Sequence, residues 1–345
     1  MSFIRNAWYV AGWARDIGRT LVRSTVLGDE MVLYRKENGD PAALRDLCPH
    51  RSLPLSLGQL KGDAVECGYH GLTFDCSGAC ISIPGQETIP ANAKVRSYPV
   101  AERMGLIWVW MGPAKLADPD DIYNLPQYHD PAWGVGHGDA LHVDANYLLL
   151  TDNLCDPAHV NYVHPTTLGD PDGPDASVTV EERDGCVTTI RWTPDSDPVG
   201  FFKVFGNFAG KVDRWQYYHM HVPSTAIIDF GSAAAGAGAM EGNRDDCIQV
   251  FSCHFMTPVD ETTTIDYWVH VRNFASDDDS VTEGISEQFR IAFAEDKIIL
   301  QAVQAAEERH GTEGRAGIDI DAGPGLFRHL VNTAVRLKSQ SAAAE

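Results

Sequence analysis

Cys48-Pro49-His50-Arg51 and Cys67-Gly68-Tyr69-His70-Gly71 set two Cys/His pairs on either side of residues 51–66. Each pair lies beside Pro or Gly, where the chain can turn tightly. Thiolate and imidazole together suit zinc or an iron–sulfur cluster. Structural zinc pairs its ligands at a spacing of roughly two to four residues, which Cys67 and His70 satisfy and the tighter Cys48-x-His50 does not. In a [2Fe–2S] centre with two Cys on one iron and two His on the other, each pair can span both irons, so both spacings are acceptable. Exchanging two thiolates for neutral imidazoles also lifts the reduction potential, to about −150 to +300 mV from about −400 mV.

Around these loops the chain reads as β-structure. Met31-Val32-Leu33-Tyr34 runs into Asn38-Gly39-Asp40-Pro41, a hairpin signal. Gly105-Leu106-Ile107-Trp108-Val109-Trp110 alternates aliphatic and aromatic residues, as a strand buried on both faces does. Residues 7–14 are apolar, but Arg15 and Asp16 end the run and no small-residue cleavage site follows, so this is a strand and not an export signal. Residues 1–115 are therefore expected to form an all-β domain. The stretch 112–138 is rich in Pro, Asp and Gly, and residues 116–139 read as a connecting segment.

Residues 140–345 read as a second, mixed domain. Its signals are a helix over 144–164 and a hairpin over 177–192 turning at Asp184-Gly185. Long antiparallel strands follow over 214–230, 247–255 and 263–273. A long helix, capped from Asp277-Asp278-Asp279-Ser280, runs to about Arg309. The tail after Lys338 reads as frayed. The fold class is α+β.

The balance of 27 Lys+Arg against 48 Asp+Glu, a net charge of −21, excludes nucleic acid and anionic membrane surfaces as partners. The longest run free of charged residues, 215–228, falls short of the ~18 apolar residues that a membrane helix needs. Eight cysteines are too few for a disulfide scaffold in 345 residues, which points to a reducing, cytoplasmic setting and to metal chemistry for Cys48 and Cys67. Cys76, Cys80, Cys155, Cys186, Cys247 and Cys253 read as turn or packing residues.

A second concentration of ligand types spans Asn153-Leu154-Cys155-Asp156-Pro157-Ala158-His159-Val160-Asn161-Tyr162-Val163-His164-Pro165. Asp156 and His159 share one helical face. His159 and His164 would stand ~140° apart on a regular helix, so both reach one ion only if the helix stops near His164, and Pro165 supplies that stop. A third ligand is offered by the long helix. Phe289, Phe293, Asp296, Leu300 and Val303 form an apolar stripe with one acid in it, and a buried carboxylate must pair or bind a cation. Glu295 falls off this stripe and is expected in solvent. Two His and a carboxylate make a facial site that leaves positions open for O2, as in non-haem Fe(II) oxygenases.

The segments C-P-H-R and C-G-Y-H-G resemble the cluster loops of Rieske-type non-haem iron aromatic oxygenases. D-x-x-H-x4-H and F-A-E-D-K resemble their mononuclear-iron motif and carboxylate segment, and the likeness runs through the whole chain, from F-I-R-N-A-W-Y-V-A to V-H-P-T-T-L-G. The resemblance implies an N-terminal Rieske domain with a [2Fe–2S] cluster on Cys48, His50, Cys67 and His70. A helix-grip-like catalytic domain would then hold Fe(II) on His159, His164 and Asp296. It places Asn153 near the iron and makes Asp156 the bridge that accepts a hydrogen bond from a cluster histidine, His70, of the neighbouring subunit in a homotrimer. A local role for Asp156, orienting His159, is the other reading.

Within that family the chain is most similar to oxygenases of aromatic methyl or methoxy groups, such as vanillate O-demethylase, dicamba demethylase and toluenesulfonate methyl-monooxygenase. The implied reaction is O2-dependent O-demethylation of an aromatic acid such as vanillate, releasing formaldehyde. Methyl hydroxylation of an aromatic sulfonate or carboxylate is the alternative, and a pure Rieske electron carrier or a zinc module the more distant ones. Trp215, Tyr217, His219 and His221 alternate on one strand face and offer a pocket wall. His254 in S-C-H-F-M-T-P is similar to a substrate-anchoring histidine, and Asp229 stands where a relative has an anchoring Asn. Arg214 and Lys203 offer compensating positive charge. Gly231 to Gly242 lacks the strand-then-helix context of a dinucleotide fingerprint, so a separate NAD(P)H-dependent flavin and iron–sulfur reductase is implied.

Overall fold

The computed structural model describes residues 3–165, 167–169 and 177–342. The chain forms two compact units: residues 1–124 with 257–260, and residues 125–256 with 261–345.

The first unit is built from three small antiparallel sheets. Trp8–Trp13 pairs with Leu106–Trp110, whose five residues are all buried, and this strand pairs in turn with Val100–Arg103. Asp29–Arg35 and Pro41–Arg45 form the expected hairpin, flanked by Val22–Val26 and Ser97–Tyr98. Gln59–Lys61, Ala64–Glu66, Thr73–Phe74 and Cys80–Ser82 make the third sheet. Its core, with Val65, Leu55 and Phe74 fully buried, also holds Cys48 and Cys67. The sheet therefore anchors the two Cys/His loops at their thiol ends.

The second unit is a seven-stranded antiparallel sheet, with strands β1 (Gly134–Val143), β2 (Val178–Arg183), β3 (Cys186–Ser196), β4 (Val212–His221), β5 (Thr225–Ala234), β6 (Ile248–Pro258) and β7 (Thr264–Arg272). Their spatial order is β1-β7-β6-β5-β4-β3-β2. Helices α1 (Tyr147–Leu154), α2 (Val160–Val163), α3 (Gly200–Phe205), α4 (Asp279–His310) and α5 (Ala322–Ala342) complete the unit. Asp278 caps α4 by accepting from Ser280 N and Val281 N at 2.9 and 3.2 Å, and Gly311 at φ +70° ends the helix. Among the described residues no helix is long and apolar enough to cross a membrane.

Three local expectations are corrected. The helix expected over 144–164 is two helices, because Asp156-Pro157 breaks it as well as Pro165; Asp156 and His159 meet across a turn and not on a helical face. The strand expected over 214–230 is a hairpin, β4 and β5, turning at the cis Val222-Pro223 bond. The stretch 112–138 is not merely connecting: it carries short 3-10 turns and then enters β1. Gly134, Gly136 and Gly138 alternate along that strand because Arg272, His270 and Trp268 of β7 lie over them, and a Cβ at any of the three would run into those side chains. Helix α5 was not anticipated. Phe327 and Val331 bury its face, and Pro324 sits in the first turn, where its missing N–H costs nothing. Residues 339–342 of the tail expected to fray continue helix α5, and residues 343–345 lie outside the described residues.

Candidate metal centres

The two Cys/His loops are the same turn made twice. Cys48 N donates to Leu53 O at 2.9 Å and Cys67 N to Leu72 O at 2.8 Å; Ser52 N returns to Cys48 O at 2.9 Å and Gly71 N to Cys67 O at 3.0 Å. The residue closing each turn is left-handed, Ser52 at φ +56° and Gly71 at φ +72°. Both thiols are buried at 2% exposure, while both imidazoles are exposed with ring centroids 4.5 Å apart. Burial pushes the Cys48 thiol up, and so does the adjacent Cys67, against main-chain N–H groups of His50 and Arg51 that favour its thiolate. Two buried sulfurs and two surface nitrogens, brought together by matched turns, fit a Cys2His2 [2Fe–2S] cluster. Cys76 is exposed and Cys80 Sγ faces Ser82 O, so neither joins this set.

In the second unit, His159, His164 and Asp296 present ligand atoms all within 4.8 Å of one another. His159 leads into α2 and His164 follows it, with Asp296 coming from the middle of α4. His164 Nε2 stands 3.1 Å and His159 Nε2 3.6 Å from Asp296 Oδ1. The opposite ring nitrogens are committed elsewhere: His159 Nδ1 meets the main-chain carbonyl of Asp156 at 2.5 Å, and His164 Nδ1 meets Glu295 Oε2 at 2.8 Å. With Nδ1 engaged by these acceptors, each Nε2 faces the carboxylate and would be the atom that binds a metal. Asn153 Nδ2 donates to Asp296 Oδ1 at 3.0 Å. The donor set fits a facial iron site.

Burial lowers the pKa of His159 against the attraction of Asp296. At His164 burial acts the same way, but the hydrogen bonds and charges of Asp296 and Glu295 outweigh it and the pKa rises. Asp156 is raised by burial, partly offset by Ala158 N, which donates to its Oδ1 at 2.7 Å. His159 is thus oriented by the Asp156 backbone and not by its carboxylate. Glu295, expected in solvent, is the partner of His164. A stripe count could not find it, since it reports the face of a helix and not the reach of a long side chain to the neighbouring element.

The triad borders a cavity lined mostly by apolar side chains. Phe202, Phe230, Phe289 and Phe293 wall it. The strand face expected to line it is corrected by one residue: alternate residues Arg214, Gln216 and Tyr218 of β4 border the cavity with Trp215, whereas Tyr217, His219 and His221 do not. His254 borders it too, with Nδ1 held by Asp266 Oδ2 at 2.7 Å and Nε2 by Ser252 Oγ at 2.9 Å. Asp229, offered above as a substrate contact, is not among the lining residues; it accepts from Trp215 Nε1, Gln249 Nε2 and Arg244 Nη1 at 2.9, 2.8 and 3.1 Å. Lys203 is exposed and does not border the cavity.

Residues 7–99 match the Rieske [2Fe–2S] domain family and residues 143–337 the vanillate O-demethylase oxygenase C-terminal domain family. The chain is 40% identical to the toluene-4-sulfonate monooxygenase system iron–sulfur subunit of Comamonas testosteroni over 99% of both chains. It is 33% identical to a vanillate O-demethylase oxygenase subunit of a Pseudomonas species, over 99% of this chain and 98% of that one. The crystal structure of dicamba monooxygenase bound to 3,6-dichlorosalicylic acid superposes with a TM-score of 0.90 at 32% identity, covering 98% of this chain and 99% of that one. Matched cluster turns, a two-histidine, one-carboxylate set and full-length likeness converge: the chain belongs to the family of Rieske non-haem iron oxygenase components that includes the O-demethylases and aromatic methyl monooxygenases.

Proposed function

We propose that this protein is the oxygenase component of a system that oxidises a methyl or methoxy group of an aromatic acid, with electrons from a separate reductase. The observation that carries the reading is the His159/His164/Asp296 set opening onto a cavity walled by four phenylalanines. His159, His164 and Asp296 would hold an iron that activates O2, and Cys48, His50, Cys67 and His70 would hold the cluster that supplies its electrons. One O2, two electrons and two protons convert an aryl methyl group to a benzylic alcohol and water. From an aryl methoxy group the same inputs yield a phenol, formaldehyde and water. The higher identity to the toluene-4-sulfonate protein favours the methyl reaction over vanillate-type demethylation.

The chain's own side chains hold the geometry. Glu295 and the Asp156 carbonyl keep Nδ1–H on the two imidazoles, and Asn153 steadies the Asp296 carboxylate. The phenylalanine wall excludes water and orients an aromatic ring by edge and face contacts. Asp156, half-buried beside His159, is the acceptor for a cluster histidine of a second copy in a ring-shaped trimer. The test is a panel of aryl methyl and methoxy acids with a reductase supplied, scoring benzylic alcohol against formaldehyde. Formation of neither, with both metals loaded, rejects the reading.

A further inference from the structure

Ser252, His254 and Asp266 form one hydrogen-bonded line in the second unit. Ser252 Oγ lies 2.9 Å from His254 Nε2, and His254 Nδ1 lies 2.7 Å from Asp266 Oδ2. All three are buried, at 5%, 1% and 3% exposure. Strand β6 carries Ser252 and His254 two residues apart, hence on one face of the sheet, and both border the aromatic cavity; Asp266 comes from β7. Asp266 Oδ1 has no hydrogen-bond partner among the described residues, so His254 is the side chain that this carboxylate engages. None of the three belongs to the metal triad.

A fourth group stands in the same row. Tyr218 of β4 and Ser252 of β6 both pair with Ile228 of β5, and both border the cavity. At the usual strand spacing their Cα atoms are roughly 10 Å apart, with side chains on one face. Tyr218 Oη accepts from Gln216 Nε2 at 2.9 Å, which leaves its own O–H to donate. Burial pushes the Tyr218 pKa up, against the charge of Arg191, so the hydroxyl keeps that proton.

The geometry points to a second activity: Ser252 is a nucleophile toward aryl esters of short-chain acids. His254 is its general base, Asp266 orients that base, and Tyr218 donates to the carbonyl oxygen as it gains charge. With Asp266 ionised, Oδ2 accepts from Nδ1, and the neutral ring has Nε2 to take the serine proton. The bond from Oγ to the acyl carbon forms as that proton moves to Nε2. The ester C–O bond then breaks, and the phenol leaves with the proton. Water attacks the acyl-serine in turn, its proton passing through Nε2 back to Oγ, and the free acid departs. Ester and water become phenol and acid, with no electron exchanged. The phenylalanine wall receives the aryl group. The step uses no metal ion, so it does not rest on the oxygenase reading.

The test is 4-nitrophenyl acetate with the full-length, cluster-loaded protein. The wild type should release 4-nitrophenol catalytically, and peptide mapping after an acid quench should find the acetyl group on Ser252. Ser252→Ala should lower kcat about a hundredfold or more, and Asp266→Asn about as much with KM within about twofold. Tyr218→Phe should lower kcat/KM about a hundredfold. A chelator that empties the mononuclear site and spares the visible absorption of the cluster should leave the wild-type rate unchanged. No acetyl group on Ser252, a Ser252→Ala rate equal to the wild type, or an Asp266→Asn variant altered in KM and not in kcat overturns the inference. So does hydrolysis lost with the chelator, since a metal-bound water would then be the nucleophile. The wild-type mapping and the chelator decide the matter even where a variant fails to fold.

Discussion

Replacing Glu295 with glutamine removes one charge and keeps the shape. Its Oε2 sits 2.8 Å from His164 Nδ1, so the wild-type bond is charge-assisted, about twice as strong as the neutral bond glutamine can still accept. A charge-assisted bond is worth about 1.5–3 kcal/mol, and half of that is lost. The Glu295 side chain is 32% exposed, and solvent screening holds the loss to about 1 kcal/mol. That converts to roughly fivefold weaker binding of ferrous ion. Competition against a coloured Fe(II) chelator under anaerobic conditions reads the affinity. The visible absorption of the cluster, in a different unit of the chain, is the internal control for folding. Iron binding equal to the wild type with the cluster intact would refute the reasoning, because His164 would then hold its tautomer without help.

His50→Ala should abolish the visible absorption of the cluster while leaving one iron per chain at the His159/His164/Asp296 site, measured by metal analysis. Gly136→Ala should lower the thermal midpoint by several degrees, since a Cβ there meets the His270 ring and overpacking costs about 1–3 kcal/mol; an unchanged midpoint would mean that β7 moves aside freely. Burial lowers the His270 pKa to about 3. The folded ring is neutral while the unfolded one titrates at its ordinary value, so this stability is complete above about pH 6.5 and is lost as pH falls toward about 3. Between pH 7 and pH 5 that amounts to about 2 kcal/mol. His270→Gln should flatten the pH dependence of the urea midpoint by that amount, and an unaltered slope would reject the assignment.

The parts of the site legible in the sequence were those set by ligand chemistry. Thiol and imidazole spacing pointed to Cys48, His50, Cys67 and His70, whose loops form matched turns, and a lone acid in an apolar stripe pointed to Asp296, which lies beside His159 and His164. What escaped was set by tertiary contact. Glu295 reaches α2 from a position that helical periodicity assigns to solvent. Alternation along β4 has two faces, and nothing local distinguishes the Arg214/Gln216/Tyr218 face from the Tyr217/His219/His221 face. Gly134, Gly136 and Gly138 read as loop because glycine disfavours strands in isolation, and only the overlying Arg272, His270 and Trp268 show why they form one. Gly323-Pro324-Gly325 likewise masked the start of α5.

That glycine-bearing strand sets where the chain tolerates extra length. Residues inserted between Pro131 and Gly134 would lengthen a surface crossing and leave the ladder with β7 in place. A single residue added between Gly134 and Gly138 would shift the ladder by one, swinging Val135 and His137 under Arg272, His270 and Trp268 where no side chain fits. Spacers, tags or swapped N-terminal units are therefore best joined upstream of Gly134, and a graft made only a few residues later would break the second unit at its first strand.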